Sequence, residues 1–315
     1  MVAPDRRAGR GAAARGRRLT RAILVTGGNG QLGTELQRCA WPAGYEIVAI
    51  DVADLDLTDT AAIAAKVAER EWAAIINGAA YTAVDKAESD VVTAWAVNAM
   101  APAAFGEACA KANIPLVQVS TDYVFAGDKA GAWGVNDPVA PLGVYGASKL
   151  GGELAVRTSG ARHVIVRTAW VVSAHGNNFV KTMLRVGADR DTLTVVEDQH
   201  GTPTSAADLA GALATITTRL VEDAQAPTGT FHFSNAGPTT WAGFAREIFA
   251  QSAARGGASA AVQGIPTSDY PTPAKRPANS LLSHSAIHAA YGIQPRPWQN
   301  ALSDILDELI GATKA

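Results

Sequence analysis

The sequence predicts an α/β protein with a doubly wound parallel sheet and a smaller C-terminal substrate-binding lobe. Short apolar runs alternate with amphipathic stretches through about residue 170, a glycine-rich turn follows the first run, and the pattern then loosens. A repeated strand–helix order implies parallel strands with helices on both faces of the sheet. The 315 residues are enough for one large domain with an appended lobe.

The elements follow in regular order, with apolar runs predicting buried strands and one-sided apolar patterns predicting helices. In the first part, we expect strands at 22–26, 45–50, 73–78, 115–119 and 163–168, and helices near 31–39, 59–70, 88–98, 100–112 and from Val144. In the second part, we expect helices near 178–188, 205–220, 240–254 and 298–311, and a strand at 229–233. Segment 265–280 is rich in Pro and Ser, and loops of that length are often functional.

The composition argues against several classes of protein. Hydrophobic residues make up 48% and charged residues 18%, which is typical of a globular domain. No uncharged apolar run approaches the roughly 18 residues that a membrane-spanning helix needs. Cys39 and Cys109 are the only cysteines, which argues against a disulfide scaffold or a cysteine zinc site and suits a reducing compartment. We therefore expect a cytoplasmic protein without a membrane partner.

The charge is unevenly distributed along the chain. Residues 1–21 hold seven Arg and one Asp, which sum to +6, so a net charge of −2 leaves −8 on the rest. We interpret this arm as a disordered extension or a misplaced start; a targeting peptide or an anion-binding tail is the alternative. A body with a charge of −8 does not resemble a nucleic-acid binder, which needs clustered Lys and Arg.

The first predicted strand ends in a glycine-rich turn, TGGNGQLG (26–33), which predicts a phosphate-binding site. Gly27, Gly30 and Gly33 are spaced three apart, and a helix is expected from Gln31. Glycines let backbone N–H groups approach a pyrophosphate, and the positive end of the helix points at the same place. We therefore predict a Rossmann-like NAD(P)-binding domain over 22–175, with return contributions from about 205–235, and mainly a substrate-binding lobe over 176–315.

The end of the second predicted strand carries an acid where an adenine ribose is expected. Asp51 lies 18 residues after Gly33, and no Lys or Arg occurs between Cys39 and Ala65. An acid at this position bonds the ribose, and a 2′-phosphate there would meet no cation from this segment. This favours NADH over NADPH, although Arg38 is near enough in sequence to reach in.

A second motif predicts proton transfer to a carbonyl group. Tyr145 and Lys149 are four residues apart, so a helix places them on one face. A neighbouring ammonium favours tyrosinate and lowers the pKa of the phenol, which makes Tyr145 a usable general acid. Thr121 follows the predicted strand at 115–119, at the sheet edge where ligands bind, and its hydroxyl can bond the same carbonyl oxygen.

Taken together, these residues resemble the extended short-chain dehydrogenase/reductase family. Within it, seven segments in order over about 22–312 are similar to the branch that reduces the C4 ketone of dTDP-4-dehydro-L-rhamnose. The segments are TGGNGQLGTEL, AAYTAVDKAESD, STDYVFAG, VYGASKLGGE, RTAWVVSAHGNNFVKTMLR, EDQHGTPT and YPTPAKRPANS. The resemblance implies an NADPH- or NADH-dependent reductase that catalyses the last step of dTDP-L-rhamnose synthesis.

The resemblance also implies roles for individual residues. Tyr145 would donate the proton, Lys149 would hold the nicotinamide ribose, and Thr121 and Asp122 would contact the sugar. The cofactor would be held by further residues: Gly30, Gln31 and Leu32 at the pyrophosphate, Asp51, Asp56 and Leu57 at the adenosine, and Ala80, Tyr81, Thr82 and Val119 along the groove. Trp170 would close over the sugar, and we suppose that Arg276 grips a nucleotide phosphate as a charge-assisted fork.

Departures from the family pattern refine these expectations. Related sugar-nucleotide dehydratases have Glu where this chain has Tyr123, and ketone reduction needs no such acid, so a reductase is favoured. Some relatives use glutamates to bind Mg²⁺ at a dimer interface; Glu35 fits one position, but Ala207 stands at another. A hard cation wants several oxygen ligands, so we expect no metal, and a homodimer stays open. The alternatives are a reductase of another dTDP-4-keto-deoxysugar and a non-catalytic NAD(P)-binding regulatory subunit.

Overall fold

The computed structural model describes residues 20–311 and centres on a six-stranded parallel sheet. The basic arm predicted over 1–21 lies outside the described residues except for its last two. The strand order is β10-β5-β4-β3-β1-β2, and every neighbouring pair is parallel. These strands are β1 Arg21–Thr26, β2 Tyr45–Ile50, β3 Ala74–Asn77, β4 Leu116–Thr121, β5 His163–Thr168 and β10 Gly229–His232.

Helices cover both faces of this sheet, as the alternating pattern predicts. They are α1 Gln31–Arg38, α2 Thr60–Ala68, α3 Val84–Ala87, α4 Val91–Trp95, α5 Ala101–Ala112, α6 Val144–Thr158 and α8 Ala206–Glu222. One buried apolar cluster joins α1 and α8 to the sheet, and a second joins α2, α5 and α6 to its other face. The doubly wound fold is therefore confirmed, and α8 and β10 return to the sheet from the C-terminal half.

The remaining elements form a smaller lobe with its own core. They are β6 Val171–Val172, α7 Phe179–Gly187, β7 Thr192–Val196, β8 His200–Gly201, β9 Thr204–Ser205, β11 Thr239–Thr240, α9 Trp241–Ala254, β12 Ala261–Ile265, α10 Ser285–Tyr291 and α11 Trp298–Ile310. A third apolar cluster packs α7, α9 and α11 against β7 and β12, whereas α10 packs on the sheet through Ile287.

Some elements differ from the sequence-based expectations; α3, α10 and several short strands, for example, were not expected. The two helices expected near 88–98 and 100–112 form one continuous helical run from Val91 to Ala112, joined by a π-helical segment at Ala96–Met100. The β7–β12 pair was not predicted, because β12 has Gly264 and only weak alternation. No helix within residues 20–311 has both the length and the hydrophobicity needed to cross a bilayer.

Candidate active site

The glycine-rich turn closes as its spacing predicts. Gly27 has a φ of 75°, and its carbonyl oxygen accepts a hydrogen bond of 3.0 Å from the Gly30 N–H. A Cβ at Gly33 would collide with that same carbonyl oxygen, so only glycine lets α1 start this close to β1. Gly30 caps α1 without a side-chain hydrogen bond, so the first N–H groups of the helix remain available to bind an anion.

A cleft of about 520 Å³ opens above this turn at the carboxyl ends of β1, β2 and β3. Its volume lies in the range of small-molecule and cofactor sites. Its lining includes ten of the residues expected to hold the cofactor, namely Gly27, Gly30, Gln31, Leu32, Gly33, Asp51, Asp56, Leu57, Ala80 and Tyr81. Thr82 is exposed and lies outside this lining.

The adenosine end of the cleft is acidic. Asp51 accepts a 2.7 Å hydrogen bond from the Asn29 N–H, which fixes its carboxylate beside the glycine turn. Among residues 20–311, neither Lys nor Arg lines the cleft. Arg38 does not line the cleft, and its guanidinium pairs with Glu308 of α11 at 2.7 Å. Sequence spacing alone left Arg38 available to a 2′-phosphate; in the structure its partner is a carboxylate of α11.

A second cavity, of about 240 Å³, adjoins the cleft and holds the predicted proton-transfer residues. Tyr145 and Lys149 project from α6, and Thr121 and Asp122 stand at the end of β4. The two cavities share Gln31, Leu32, Gly78 and Ala80. Val119 also lines the second cavity, and its carbonyl oxygen accepts a 2.7 Å hydrogen bond from Lys149 Nζ. The residues expected to contact the hydride donor and those expected to contact the ketone therefore line one continuous space.

The electrostatics of this cavity correct one expectation. Burial raises the pKa of Tyr145 to about 12; interaction with the Thr121 hydroxyl opposes this rise, and the negative charge of Asp122 adds to it. Burial also lowers the pKa of Lys149 to about 8. In the protein without cofactor, desolvation therefore raises the pKa of Tyr145, where a neighbouring ammonium was expected to lower it. At neutral pH, Tyr145 carries the proton that a general acid must donate.

A buried amide that the sequence reasoning missed braces the cavity. Asn98 lies in the π-helical segment, accepts a 2.9 Å hydrogen bond from the Tyr81 N–H and donates to the Ser148 hydroxyl at 3.1 Å. Ser148 stands between Tyr145 and Lys149 on α6. π-Helical insertions often occur at functional sites, but a five-residue stretch such as AVNAM gives no sequence signal for one.

Tyr123 occupies the position where related dehydratases have a glutamate. Its ring meets the Tyr145 ring edge to face, with the centroids 5.3 Å apart at 79°. Burial raises the pKa of Tyr123 well above its ordinary value, so its hydroxyl stays neutral. The structure thus places an apolar ring, and no second carboxylate, against the predicted proton donor.

Trp170 has strained backbone geometry beside the cavity. Its φ of 49° is one of only two positive values among non-glycine residues in the described range. Its indole stacks on Trp241 with centroids 3.7 Å apart, and a Cβ at Gly201 would collide with it. A bulky side chain in this backbone conformation is uncommon and persists only where packing enforces it. Trp170 lines the cavity from the lobe side, where the resemblance expects the sugar.

A third cavity, of about 260 Å³, lies in the lobe on the far side of Trp241. Its aromatic and polar lining includes Phe179, Gln199, Tyr270 and Arg276. Arg276 is engaged within the protein, because Asp85 of α3 accepts from it at 2.8 and 3.2 Å. The Arg276 guanidinium therefore lines the lobe cavity and is paired with the Asp85 carboxylate.

Glu35, which aligns with a metal position in some relatives, belongs to a polar cluster. It accepts a 3.1 Å hydrogen bond from Ser173 and lies 3.5 Å from His175 Nε2. Within residues 20–311 no group of three or more His, Cys, Asp and Glu is arranged to hold a metal ion. The expectation that the protein binds no metal therefore stays a prediction.

The fold and this cavity together define an oxidoreductase of the extended short-chain dehydrogenase/reductase class. The model of the family described as RmlD substrate binding domain matches residues 21–310. A dTDP-4-dehydrorhamnose reductase of Aggregatibacter actinomycetemcomitans is 41% identical over 286 residues, covering 90% of this chain and 97% of the relative. The chain therefore belongs to the dTDP-4-dehydrorhamnose reductase family.

Solved structures agree with this assignment. A dTDP-4-dehydrorhamnose reductase of Clostridium acetobutylicum superposes with a TM-score of 0.85 at 38% identity, over 91% of this chain and 99% of that one. The dTDP-4-dehydrorhamnose reductase of Bacillus anthracis, solved in complex with NADP, gives 0.85 at 35% identity, over 92% and 99%. A UDP-glucose 4-epimerase of Thermus thermophilus, at 23% identity, shares the fold.

Proposed function

We propose that this protein reduces the C4 ketone of dTDP-4-dehydro-L-rhamnose to give dTDP-L-rhamnose, the last step of dTDP-L-rhamnose synthesis, with NADPH or NADH. The observation that carries this proposal is the single cavity lined by Tyr145, Lys149 and Thr121, which opens into the dinucleotide cleft. The named reductases in the family support the choice of substrate. The relative bound to NADP supports the choice of cofactor.

The residues of the cleft fit a dinucleotide. Gly33 makes room for a pyrophosphate against the start of α1, and the acidic end of the cleft suits an adenine ribose with a free 2′-hydroxyl. When bound, the dihydronicotinamide supplies hydride to carbon. Lys149 would hold the adjoining ribose, and Val119 would contact the nicotinamide, since both residues line this cavity.

Within the cavity, Tyr145 donates its phenolic proton to the ketone oxygen. The Thr121 hydroxyl donates to Asp122 at 2.9 Å in the structure; with substrate bound it would turn to the ketone oxygen and so stabilise the negative charge that develops there. Lys149 remains largely protonated at neutral pH, because its pKa of about 8 lies above 7. Its charge stabilises the tyrosinate that forms on Tyr145.

The lobe provides a place for the nucleotide. We place the sugar under Trp170 in the active-site cavity, with Asp122 at one of its hydroxyls, and the thymidine in the third cavity against Trp241 and Tyr270. Arg276 stands at the rim of that cavity, where a diphosphate joining the two would pass. A diphosphate would compete with Asp85 for the guanidinium, since both are anions suited to bidentate pairing.

The test is Tyr145→Phe, which removes one hydroxyl and keeps the ring. We expect turnover of dTDP-4-dehydro-L-rhamnose to fall by about 10²- to 10⁴-fold, because general acid catalysis contributes about that much. Cofactor affinity should stay nearly unchanged. The measurement is cofactor oxidation with NADH and NADPH in turn, together with cofactor titration by fluorescence.

The matched control is Tyr45→Phe, which removes a phenolic hydroxyl at the start of β2, outside the cleft and the cavity. It should leave turnover intact. Undiminished turnover in Tyr145→Phe would defeat the proposal. Absence of ketone reduction by the native chain would favour a regulatory subunit, and a different C4 product by NMR would favour another dTDP-4-keto-deoxysugar.

We also infer a cytoplasmic location and leave a homodimer as a proposal. The free thiols of Cys39 and Cys109 suit a reducing compartment. The assembly state is measurable by light scattering of the purified chain with and without Mg²⁺. A dimer unaffected by chelation would agree with the absence of a second aligned glutamate at Ala207.

A further inference from the structure

Asp85 joins the short helix α3 to the Pro-rich segment 265–280. Its Oδ1 accepts 3.2 Å hydrogen bonds from the Ala274 N–H and from Nη1 of Arg276, and its Oδ2 accepts a 2.8 Å hydrogen bond from Nη2 of Arg276. Two parallel N–H bonds to two oxygens are also how an arginine binds a phosphate group. The Asp85 carboxylate therefore occupies Arg276 in the geometry that a phosphate would use.

This ion pair lies between the places proposed for the sugar and for the thymidine. Val84, the neighbour of Asp85 in α3, lines the active-site cavity, and Arg276 lines the third cavity. Because the diphosphate links the two ends of a dTDP-sugar, it is expected between these cavities. A diphosphate in that position would meet Arg276 already paired with a carboxylate.

The pair is suited to exchange of partners. The side chains of Arg276 and Asp85 are 25% and 41% exposed, and partly exposed ion pairs contribute little to stability. The hydrogen bond from Arg276 lowers the pKa of Asp85, so the carboxylate stays charged at neutral pH and competes as an anion. Among the described residues, Asp85 is the only carboxylate paired with Arg276.

Such an exchange would be local, because the chain after Arg276 is held by other contacts. The His200 N–H donates to the Ala278 carbonyl oxygen, and the Ser280 N–H donates to the His200 carbonyl oxygen, each at 2.8 Å. Neither bond involves Asp85. Release of Asp85 would therefore free the guanidinium while the rest of the segment stays paired with β8.

We propose that Asp85 is an internal competitor that the substrate diphosphate displaces from Arg276, and that this exchange lowers nucleotide affinity and speeds release of the product. The inference rests on the proposed function, which places a diphosphate near Arg276. In the free protein, Asp85 keeps the guanidinium paired. In the complex, the diphosphate takes its place and the carboxylate turns to water. When dTDP-L-rhamnose leaves, Asp85 regains Arg276.

The first test is Asp85→Asn, which keeps the shape and one acceptor but removes the competing charge. The probe is dTDP, and its binding is followed by tryptophan fluorescence, because Trp241 lines the third cavity. The Kd for dTDP should fall by about fivefold, since a partly exposed ion pair contributes up to about that factor. The dissociation rate, measured by stopped flow, should fall by a similar factor.

A double-mutant cycle separates exchange of partners from simple repulsion. Arg276→Gln should raise the Kd for dTDP by about 10- to 100-fold, since hydrogen bonds to charged groups are worth about that much. In this background, Asp85→Asn should change the Kd by less than about twofold, because no guanidinium is left to compete for. Asp189→Asn, an exposed acid after α7, makes the same change of charge and should bind dTDP as the native protein does.

Unchanged or weaker dTDP binding in Asp85→Asn would overturn the proposal, and weaker binding would show that Asp85 instead positions Arg276 for the phosphate. An equal gain with and without Arg276 would overturn it as well, since Asp85 would then only repel the ligand. Native dTDP affinity in Arg276→Gln would show that the diphosphate does not lie at Arg276. None of these measurements requires turnover, so failure of the proposed ketone reduction would be seen separately.

Discussion

At the scale of single residues, the site combines groups whose environments push their acidities apart. Burial holds Tyr145 protonated and brings the pKa of Lys149 down to about 8. Burial raises the pKa of Asp122 to about 6, above that of an ordinary surface carboxylate. Neighbouring groups whose pKa values are shifted apart indicate which residue acts as the acid and which as the base in an enzyme. Strongly shifted pKa values also cluster at functional sites.

Asp51 sets the expected choice of cofactor. Its carboxylate lines a cleft that has no cationic lining residue within the described chain, so we expect a 2′-phosphate to be repelled there. We expect the native protein to have a higher kcat/KM with NADH than with NADPH. Asp51→Asn, which keeps an acceptor for the Asn29 N–H, should raise the NADPH-to-NADH ratio by about tenfold through loss of one repulsive charge.

The measurement is kcat/KM with each cofactor at fixed ionic strength. Glu71→Gln removes an acid outside the cleft lining and should leave the ratio as it is. A native preference for NADPH, or an unchanged ratio in Asp51→Asn, would show that the acidic end of the cleft does not select the cofactor.

At the scale of elements, the helix that carries Tyr145 and Lys149 is positioned by close contacts at glycines. In α6, a Cβ at Gly146 would collide with the Tyr123 carbonyl, and one at Gly152 with the Asn98 carbonyl. These glycines let α6 lie against the 3-10 turn after β4 and against the π-helical segment. The spacing between Tyr145, the proposed proton donor, and the turn at Asp122–Val124 therefore depends on backbone packing.

Gly152→Ala should destabilise the protein by about 1–3 kcal/mol, because overpacking a close contact costs about that much. It should also reduce turnover, since α6, which carries Tyr145 and Lys149, must shift away from the π-helical segment. The measurements are the urea midpoint and the steady-state rate.

The matched control is Gly211→Ala in α8, where an added Cβ meets nothing within 4 Å. Alanine is the better helix former by about 0.5–1 kcal/mol, so this change should be neutral or stabilising. Equal effects of the two substitutions would contradict the packing account of Gly152.

The sequence predicted the central elements well because their signals are local. Each strand of the sheet is a short apolar run, and the glycine spacing at 27, 30 and 33 reports a turn that only glycine can form. The π-helical segment, the pairing of Arg276 with Asp85 and the direction of Arg38 depend on contacts between distant parts of the chain. No local pattern records such contacts, so these features could not be predicted.

At the scale of the whole molecule, a buried polar network ties the sheet to its surroundings. Arg167 of β5 is 1% exposed and forms a bidentate pair with Glu153 of α6 at 2.7 and 2.8 Å. Next to it, Nδ1 of His232 in β10 donates a 3.1 Å hydrogen bond to the Trp133 carbonyl oxygen. The network joins α6, β5 and β10.

His232 is expected to lower the free energy of unfolding at acid pH. Burial and the charge of Arg167 lower the pKa of His232 to about 3 in the folded protein, whereas an unfolded histidine has a pKa of about 6.5. Between these values the unfolded chain binds more protons, so stability rises with pH. The contribution is fully present above about pH 6.5 and is lost as the pH falls toward 3.

His232→Gln should therefore show a shallower loss of melting temperature between pH 7 and 4 than the native protein, even if it melts lower at pH 7. His288→Gln, at an exposed position of α10, should follow the native curve. Thermal scans across this range decide between them. Parallel curves for native protein and His232→Gln would show that this histidine does not carry the acid sensitivity.

The central claim is that hydride passes from the cofactor to C4 of the sugar while Tyr145 protonates its oxygen. The most direct measurement supplies NADH deuterated at the reactive position with dTDP-4-dehydro-L-rhamnose and follows the product by NMR. The account predicts one deuterium at C4 of dTDP-L-rhamnose with the native enzyme and almost none on the same timescale with Tyr145→Phe. Deuterium elsewhere in the sugar, or equal labelling by the variant, would contradict it.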